Sequence, residues 1–186
     1  MNNNTILVDF DDTIAMSTKT IFDIYKKETG FVGNYHRDYL WNFDGLIDKS
    51  YLNRALSLFQ DKLFYDNLKL NTNCKKVLKI LSLAGYNIIV CTMHKNPIGK
   101  AHKIDFIERK LPFVDDIICL ESFDKSVVDG FIIIDDKPEC LLGERKYKFL
   151  FGNYGYNRNC NIDCIRVKNW QELLNYMKKN NIIIIK

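Results

Sequence analysis

The sequence predicts an α/β fold: a mostly parallel sheet covered on both faces, with a small helical segment inserted after the first strand. Three observations carry this. Short β-branched runs at 5–10, 87–91, 117–120 and 131–134 read as buried strands. From residue 71 onward, stretches of helical period separate such runs, which is the alternation of a parallel sheet. Residues 15–70 hold no strong strand and interrupt that alternation early.

Each element has its own signal. TILVDF at 5–10 is short, apolar and β-branched. Ser17 or Thr18 can cap a helix to about Thr29, with Ile21, Ile24 and Tyr25 on one face and Gly30 at its stop. Residues 31–45 are irregular and aromatic. Asp48 then caps a second helix to about Phe59 or Lys62. Thr72 or Asn73 starts a helix carrying Val77, Leu78 and Leu81, and Gly85 ends it. Pro97 suits the first turn of a helix that Pro112 stops. Strands at 147–151 and 165–167 follow, and Asn169 caps a last helix with Trp170, Leu173, Leu174 and Met177 inward. Two parts result: a catalytic core of 1–14 and 71–186, and a helical cap of 15–70.

Composition narrows the function. Apolar residues make up 47% of 186, enough to bury a core. Lys and Arg total 27 against 23 Asp and Glu, a net +4 that suits a small anion and falls short of a nucleic-acid footprint. No run approaches the roughly 18–20 apolar residues of a membrane span. Met1-Asn2-Asn3-Asn4 leads directly into a strand, with no signal peptide, so a cytoplasmic protein is expected. Cys160 and Cys164 are spaced C-x3-C without a second ligand pair, which does not make a zinc site, and a disulfide framework is not expected in a reducing compartment. The apolar run 182–185 reads as an edge strand or packed tail, or as a strand for a partner. Oligomeric state stays open, a homodimer among the options.

The chemistry lies at strand ends. In parallel sheets, ligands bind beyond the carboxyl ends of the strands. The first strand ends in Asp9-Phe10-Asp11, the second in Cys91-Thr92, the fourth in Asp135-Asp136, and Lys125 precedes the fourth. Such converging acids require a compensating cation, and oxygen ligands without His or Cys favour Mg2+. Mg2+ and Lys125 attract phosphate oxygens, to which the Thr92 hydroxyl can donate. Of two carboxylates at i, i+2, one can attack phosphorus and the other can protonate the leaving oxygen.

These residues resemble the motifs of the haloacid dehalogenase superfamily: Asp9-x-Asp11-x-Thr13, Thr92, Lys125 and Ile134-Asp135-Asp136. The resemblance implies a Rossmann-like three-layer core, Asp9 as nucleophile and Asp11 as general acid/base. It implies Thr92 and Lys125 on the phosphate, and Mg2+ on Asp9, Asp11 (through its carbonyl) and Asp135, with Asp136 supporting. Asp124-Lys125-Ser126-Val127-Val128, Val90-Cys91-Thr92, the stretch 63–68 and Tyr156-Asn157-Arg158 are similar to the 5'(3')-deoxyribonucleotidase branch. That branch implies hydrolysis of nucleoside monophosphates. The chain departs from it at Asp12 (often Gly), Met93 (often Ser) and Ser17 (Phe in some members).

Other residues have two readings each. Lys103 could reach the phosphate or be solvated. Tyr39, Trp41 and Phe43 could line a base-stacking wall or fill the core of the cap. His94 could touch substrate or merely occupy a loop. Asp12 reads as a turn residue, Lys137 as a charge-balancing surface residue, and Asn157 with Arg158 as a loop organiser or a turn. Two other functions stay open: a phosphatase of another small metabolite, and a receiver-like phosphoacceptor. A receiver carries its acceptor on a middle strand and has no helical insertion after the first.

Overall fold

The computed structural model describes residues 4–183. Six strands, β1 (Thr5–Val8), β2 (Asn87–Met93), β3 (Asp116–Leu120), β4 (Ile132–Asp135), β5 (Tyr147–Phe151) and β6 (Ile165–Val167), form one sheet. Its order is β3-β2-β1-β4-β5-β6, and every pairing is parallel. Val8 of β1 lies opposite Val90 of β2 and Ile134 of β4. The chain builds one half outward from β1, then crosses back to β4 to build the other. A crevice therefore opens at the carboxyl ends of β1 and β4.

Helices α1 (Ser17–Thr29), α2 (Leu52–Ser57), α3 (Lys62–Asn67) and α4 (Cys74–Leu83) lie between β1 and β2. Helix α5 (Pro97–Lys110) joins β2 to β3, and α6 (Trp170–Lys179) follows β6. Strand alternation sorts the core in two. Ile6, Val8, Val90, Ile134 and Phe149 meet Val77, Phe106, Leu173 and Met177 of the helices. Leu7, Cys91, Ile133 and Leu150 face the other way, under Leu141, Val128, Cys160, Ile162 and Cys164. Both faces are covered, but unequally. The second is closed by connections 121–131, 138–146 and 152–164, which contain no α-helix.

Several boundaries match the sequence signals. Gly30 takes the left-handed conformation (φ 74°) and donates to Lys26 O, closing α1. Pro97 opens α5 as its signal predicts, with Asn96 before it accepting from Ile98 N–H and Gly99 N–H, and Asn169 caps α6 by accepting from Glu172 N–H. Others differ. Ser17 and Thr18 do not cap α1, because their hydroxyls donate to Asp11 and Asp12 instead. Asp48 does not cap a helix; its carboxylate accepts from Tyr25 Oη at 2.7 Å. The long helix expected from 48 is broken into 3-10 turns at Lys49–Tyr51 and Leu58–Gln60 around α2. Asp61 then starts α3 by accepting from Leu63 N–H at 2.9 Å, so a good capping residue ends one helical run and begins another.

Among the described residues, no helix is long and apolar enough to cross a membrane. Ile182 and Ile183 are buried against the core, and Tyr86 Oη donates to Ile182 O. Residues 184 and 185 of the expected tail, and the leading residues 1–3, lie outside the described residues.

Candidate functional site

β1 stops at Val8, and the Asp9 N–H donates to Ile134 O at 2.9 Å. That contact sets Asp9 beside Asp135, the last residue of β4. Carboxylate oxygens of Asp9, Asp135 and Asp136 lie within 4.8 Å of one another. Lys125 Nζ is buried against two of them, 2.5 Å from Asp9 Oδ1 and 2.6 Å from Asp135 Oδ2. The Asp136 carboxylate accepts from the hydroxyls of Thr13 and Tyr156. Asn157, fully buried, donates to Asp136 O at 2.8 Å and to Phe151 O at 3.0 Å, so it is a loop organiser.

The Asp11 carboxylate turns aside from this trio. Its Oδ2 accepts from Lys103 Nζ at 2.6 Å and its Oδ1 from Ser17 Oγ at 2.6 Å. Lys103 also donates to Thr92 Oγ1 at 3.1 Å and is buried with it, which disposes of the solvated reading. Asp12 has a left-handed backbone (φ 54°) and points away from the trio. Its carboxylate accepts from Thr18 N–H and from the hydroxyls of Thr18 and Tyr39. That is the expected turn residue, since Asp tolerates the left-handed region and bonds locally.

Charge in the site is out of balance. Burial pushes the Asp9 carboxyl up to about 7; Lys125 opposes this, and Asp135 and Asp11 reinforce it. Burial, then the charges of Asp9 and Asp135, push Asp136 well above the carboxylate range. Burial lowers Lys125, but Asp135 and Asp9 outweigh it and hold its ammonium well above the usual lysine value. One ammonium thus touches two of three carboxylates, leaving excess negative charge for a proton or a cation to offset. An all-oxygen donor set without His or Cys fits a hard divalent cation such as Mg2+.

A cavity of about 550 Å³ opens above these groups, a volume suited to a small molecule. Asp9, Asp11, Thr92, Lys103 and Lys125 line it, together with Trp41, Phe59 and Phe123. Trp41 is 46% exposed and meets Phe123 and Tyr156 edge-on. Tyr39 and Phe43 also border the cavity but are buried, so the half-exposed ring from that segment is Trp41. Lys137 is not a plain surface charge: its ammonium stands 3.1 Å from the Phe123 ring centre and 3.9 Å from that of Trp41. His94 is held by backbone. Its Nδ1 accepts from Asn96 N–H, so Nε2 donates to Phe59 O at 3.2 Å, and burial lowers its pKa. Arg158 reaches out to Asp38.

Sequence reasoning missed three contributors. Ser17 holds Asp11, Phe123 supplies a cavity ring, and Arg145 Nη2 donates to Lys125 O at 3.0 Å and to Val128 O, fastening the turn that carries Lys125. Only the tertiary arrangement marks Phe123 and Arg145. The position of Ser17, just beyond the first motif, was the one signal available for it.

A family model described as "5' nucleotidase, deoxy (Pyrimidine), cytosolic type C protein" matches residues 3–181. No curated protein matches the sequence. Solved structures similar in fold include a haloacid dehalogenase-superfamily hydrolase from Ehrlichia chaffeensis (TM-score 0.54, 14% identity, covering 95% of this chain and 96% of that one). A structure described as a predicted phosphatase from Clostridium acetobutylicum aligns with TM-score 0.59 and 15% identity over 95% of this chain and 98% of that one. Protein Tyrosine Kinase A of Mycobacterium tuberculosis aligns with TM-score 0.63 and 13% identity over 94% and 97%. At these identities the likeness is one of fold.

Proposed function

The chain belongs to the 5' nucleotidase, deoxy (pyrimidine), cytosolic type C protein family of phosphomonoester hydrolases, and from that premise we propose that it dephosphorylates (deoxy)ribonucleoside monophosphates. The observation that carries the reading is the convergence of Asp9, Asp135 and Asp136 with Lys125 beneath a cavity of small-molecule size. Asp9, Asp135 and Asp136 would hold Mg2+, with the Asp11 carbonyl. When bound, the ion supplies charge neutralisation for the phosphoryl oxygens.

The chain's own residues do the rest. An Asp9 carboxylate oxygen attacks phosphorus, and the ester P–O bond breaks as an aspartyl-phosphate forms. Asp11 gives its proton to the leaving oxygen, then takes one from the water that displaces phosphate from Asp9. Ser17 and Lys103 fix the orientation of Asp11. Thr92, Lys103 and Lys125 are the donors available to the phosphate oxygens.

Residues 15–70 act in this reading as a cap over the core of 1–14 and 71–186, limiting water around the intermediate. Its contacts with the core include His94 with Phe59 O, and Tyr65 Oη donating to Gly99 O at 3.1 Å. A phosphatase of another small metabolite is the second reading. It is favoured by Lys137, which stands over the rings of Trp41 and Phe123 where a base would stack. Phosphate release from dUMP, dTMP, ribonucleoside monophosphates and sugar phosphates, with Mg2+ present, tests the choice. Cleavage of a sugar phosphate without any nucleotide cleavage overturns the nucleotidase reading.

A further inference from the structure

We propose that Cys160 and Cys164 are a redox modification site: they close to a disulfide, and closure alters the hold of Arg166 on the loop that supports Asp136. Three structural observations bring this pair together. Both side chains are partly buried and belong to the cover of the sheet's second face, packed with Ile162 against Leu7, Cys91 and Leu150. Both thiols are free. The segment between them is not helical, so no hydrogen-bond ladder resists drawing the two sulfurs together.

The link to the catalytic edge runs through Arg166 of β6. Its Nη2 donates to Cys160 Sγ at 3.3 Å, to Asn157 O at 2.8 Å and to Arg158 O at 3.2 Å. Asn157 in turn donates to Asp136 O, while its neighbour Tyr156 donates to the Asp136 carboxylate. One guanidinium thus joins the cysteine pair to the loop that grips a residue of the carboxylate trio. A disulfide sulfur is a poorer hydrogen-bond acceptor than a free thiol and its position is fixed by the new bond. Closure therefore shifts one of the contacts that keep Arg166 in place.

The reaction is thiol–disulfide exchange with a low-molecular-weight disulfide such as oxidised glutathione. Cys160, whose sulfur lies 3.3 Å from the Arg166 guanidinium, attacks first. The Cys160 sulfur bonds to one glutathione sulfur, and the other leaves as a thiol, taking the proton that Cys160 gave up. Cys164 then attacks Cys160, expelling the second glutathione thiol with the second proton. Two protein thiols are oxidised and one disulfide is reduced.

The test equilibrates the full-length protein across glutathione redox buffers, alkylates free thiols and reads intact and peptide mass. The expected result is a Cys160–Cys164 disulfide, while Cys160→Ser and Cys164→Ser each stop at a single glutathione adduct. Persistent mixed adducts on both cysteines of the unaltered protein, or two alkylated thiols throughout, overturn the site. The coupling is read as a change of twofold or more in the KM of the phosphatase reaction on oxidation, absent in Cys160→Ser/Cys164→Ser. Closure with unchanged kinetics overturns the coupling. That second arm rests on the proposed function, whereas the mass readout is independent of it, so the two failures are distinguishable.

Discussion

Asp9 and Lys125 show how single residues carry the account. The Lys125 ammonium is shared between Asp9 and Asp135, in a site where the acids outnumber it. Lys125→Met keeps the stem and removes the charge. It should lower kcat/KM for phosphomonoesters by about 10²–10³-fold, the range for losing one preorganised donor to a developing anion. Steady-state kinetics across several substrates check this; a uniform loss is expected because the phosphoryl group is common to all. Trp41→Ala should raise KM for nucleoside monophosphates by roughly 10-fold, from loss of a half-exposed ring that lines the cavity. KM for a small sugar phosphate should change little. Of the site, the residues at strand ends were legible, because a strand in a parallel sheet delivers its last side chains to one edge. Lys103 was ambiguous, since only the folded chain shows its stem buried and its ammonium on Asp11 and Thr92. Lys137 read as a surface charge, because nothing local in the sequence reveals that rings from residues 41 and 123 converge on it.

The elements of the helical segment between β1 and β2 are joined by polar clamps as well as by apolar packing. Arg54 of α2 bonds to Glu28 at the end of α1 (2.8 Å) and to Asp61, which caps α3 (3.3 Å). Arg54 and Tyr51 hold the Glu28 carboxyl below its ordinary value of 4.5. A depressed carboxylate pKa means that the unfolded chain binds the proton more tightly than the folded one. The stabilisation is therefore fully present above the unfolded value and is lost as pH falls through the lower, folded value. With both partners about one-third exposed, a double-mutant cycle of Glu28→Gln and Arg54→Met should give a coupling of about 0.2–1 kcal/mol near neutrality. Urea unfolding at neutral pH and at about pH 3 checks it; the coupling should be smaller at the lower pH, below the ordinary Glu range. The core's elements were legible to within a few residues, since the start at Pro97 and the cap at Asn169 are local events. The cap's elements were less so. Asp48 and Asp61 both suit a helix start, and only tertiary structure decides that Tyr25 takes the first while the second caps α3.

On the scale of the whole molecule, the sheet order turns a linear sequence into a site. β1 lies between β2 and β4, so Asp9, Thr92 and Asp135 arrive from three adjacent strands although they are far apart in the chain. The shared carboxyl edge was legible from the alternation of strands and helices, and the strand order was not. The unequal cover of the two sheet faces was not, because it depends on which connections lack helices. Three carboxylates held together against their repulsion should make stability depend on a divalent cation. At a Mg2+ concentration about 100 times its Kd, unfolding free energy should rise by about 2.7 kcal/mol. Tm should rise with it by roughly 5–10 °C at this chain length. Differential scanning calorimetry with and without Mg2+ checks the rise, and Asp135→Asn should remove most of it. The central claim, that Asp9 is the nucleophile of a phosphomonoesterase, is tested most directly by quenching turnover with borohydride and sequencing the protein by mass. An aspartyl-phosphate at residue 9 is reduced to homoserine, so that conversion at position 9 alone is the predicted result, absent in Asp9→Asn. Phosphate release with no modification at residue 9, or undiminished turnover by Asp9→Asn, would contradict it.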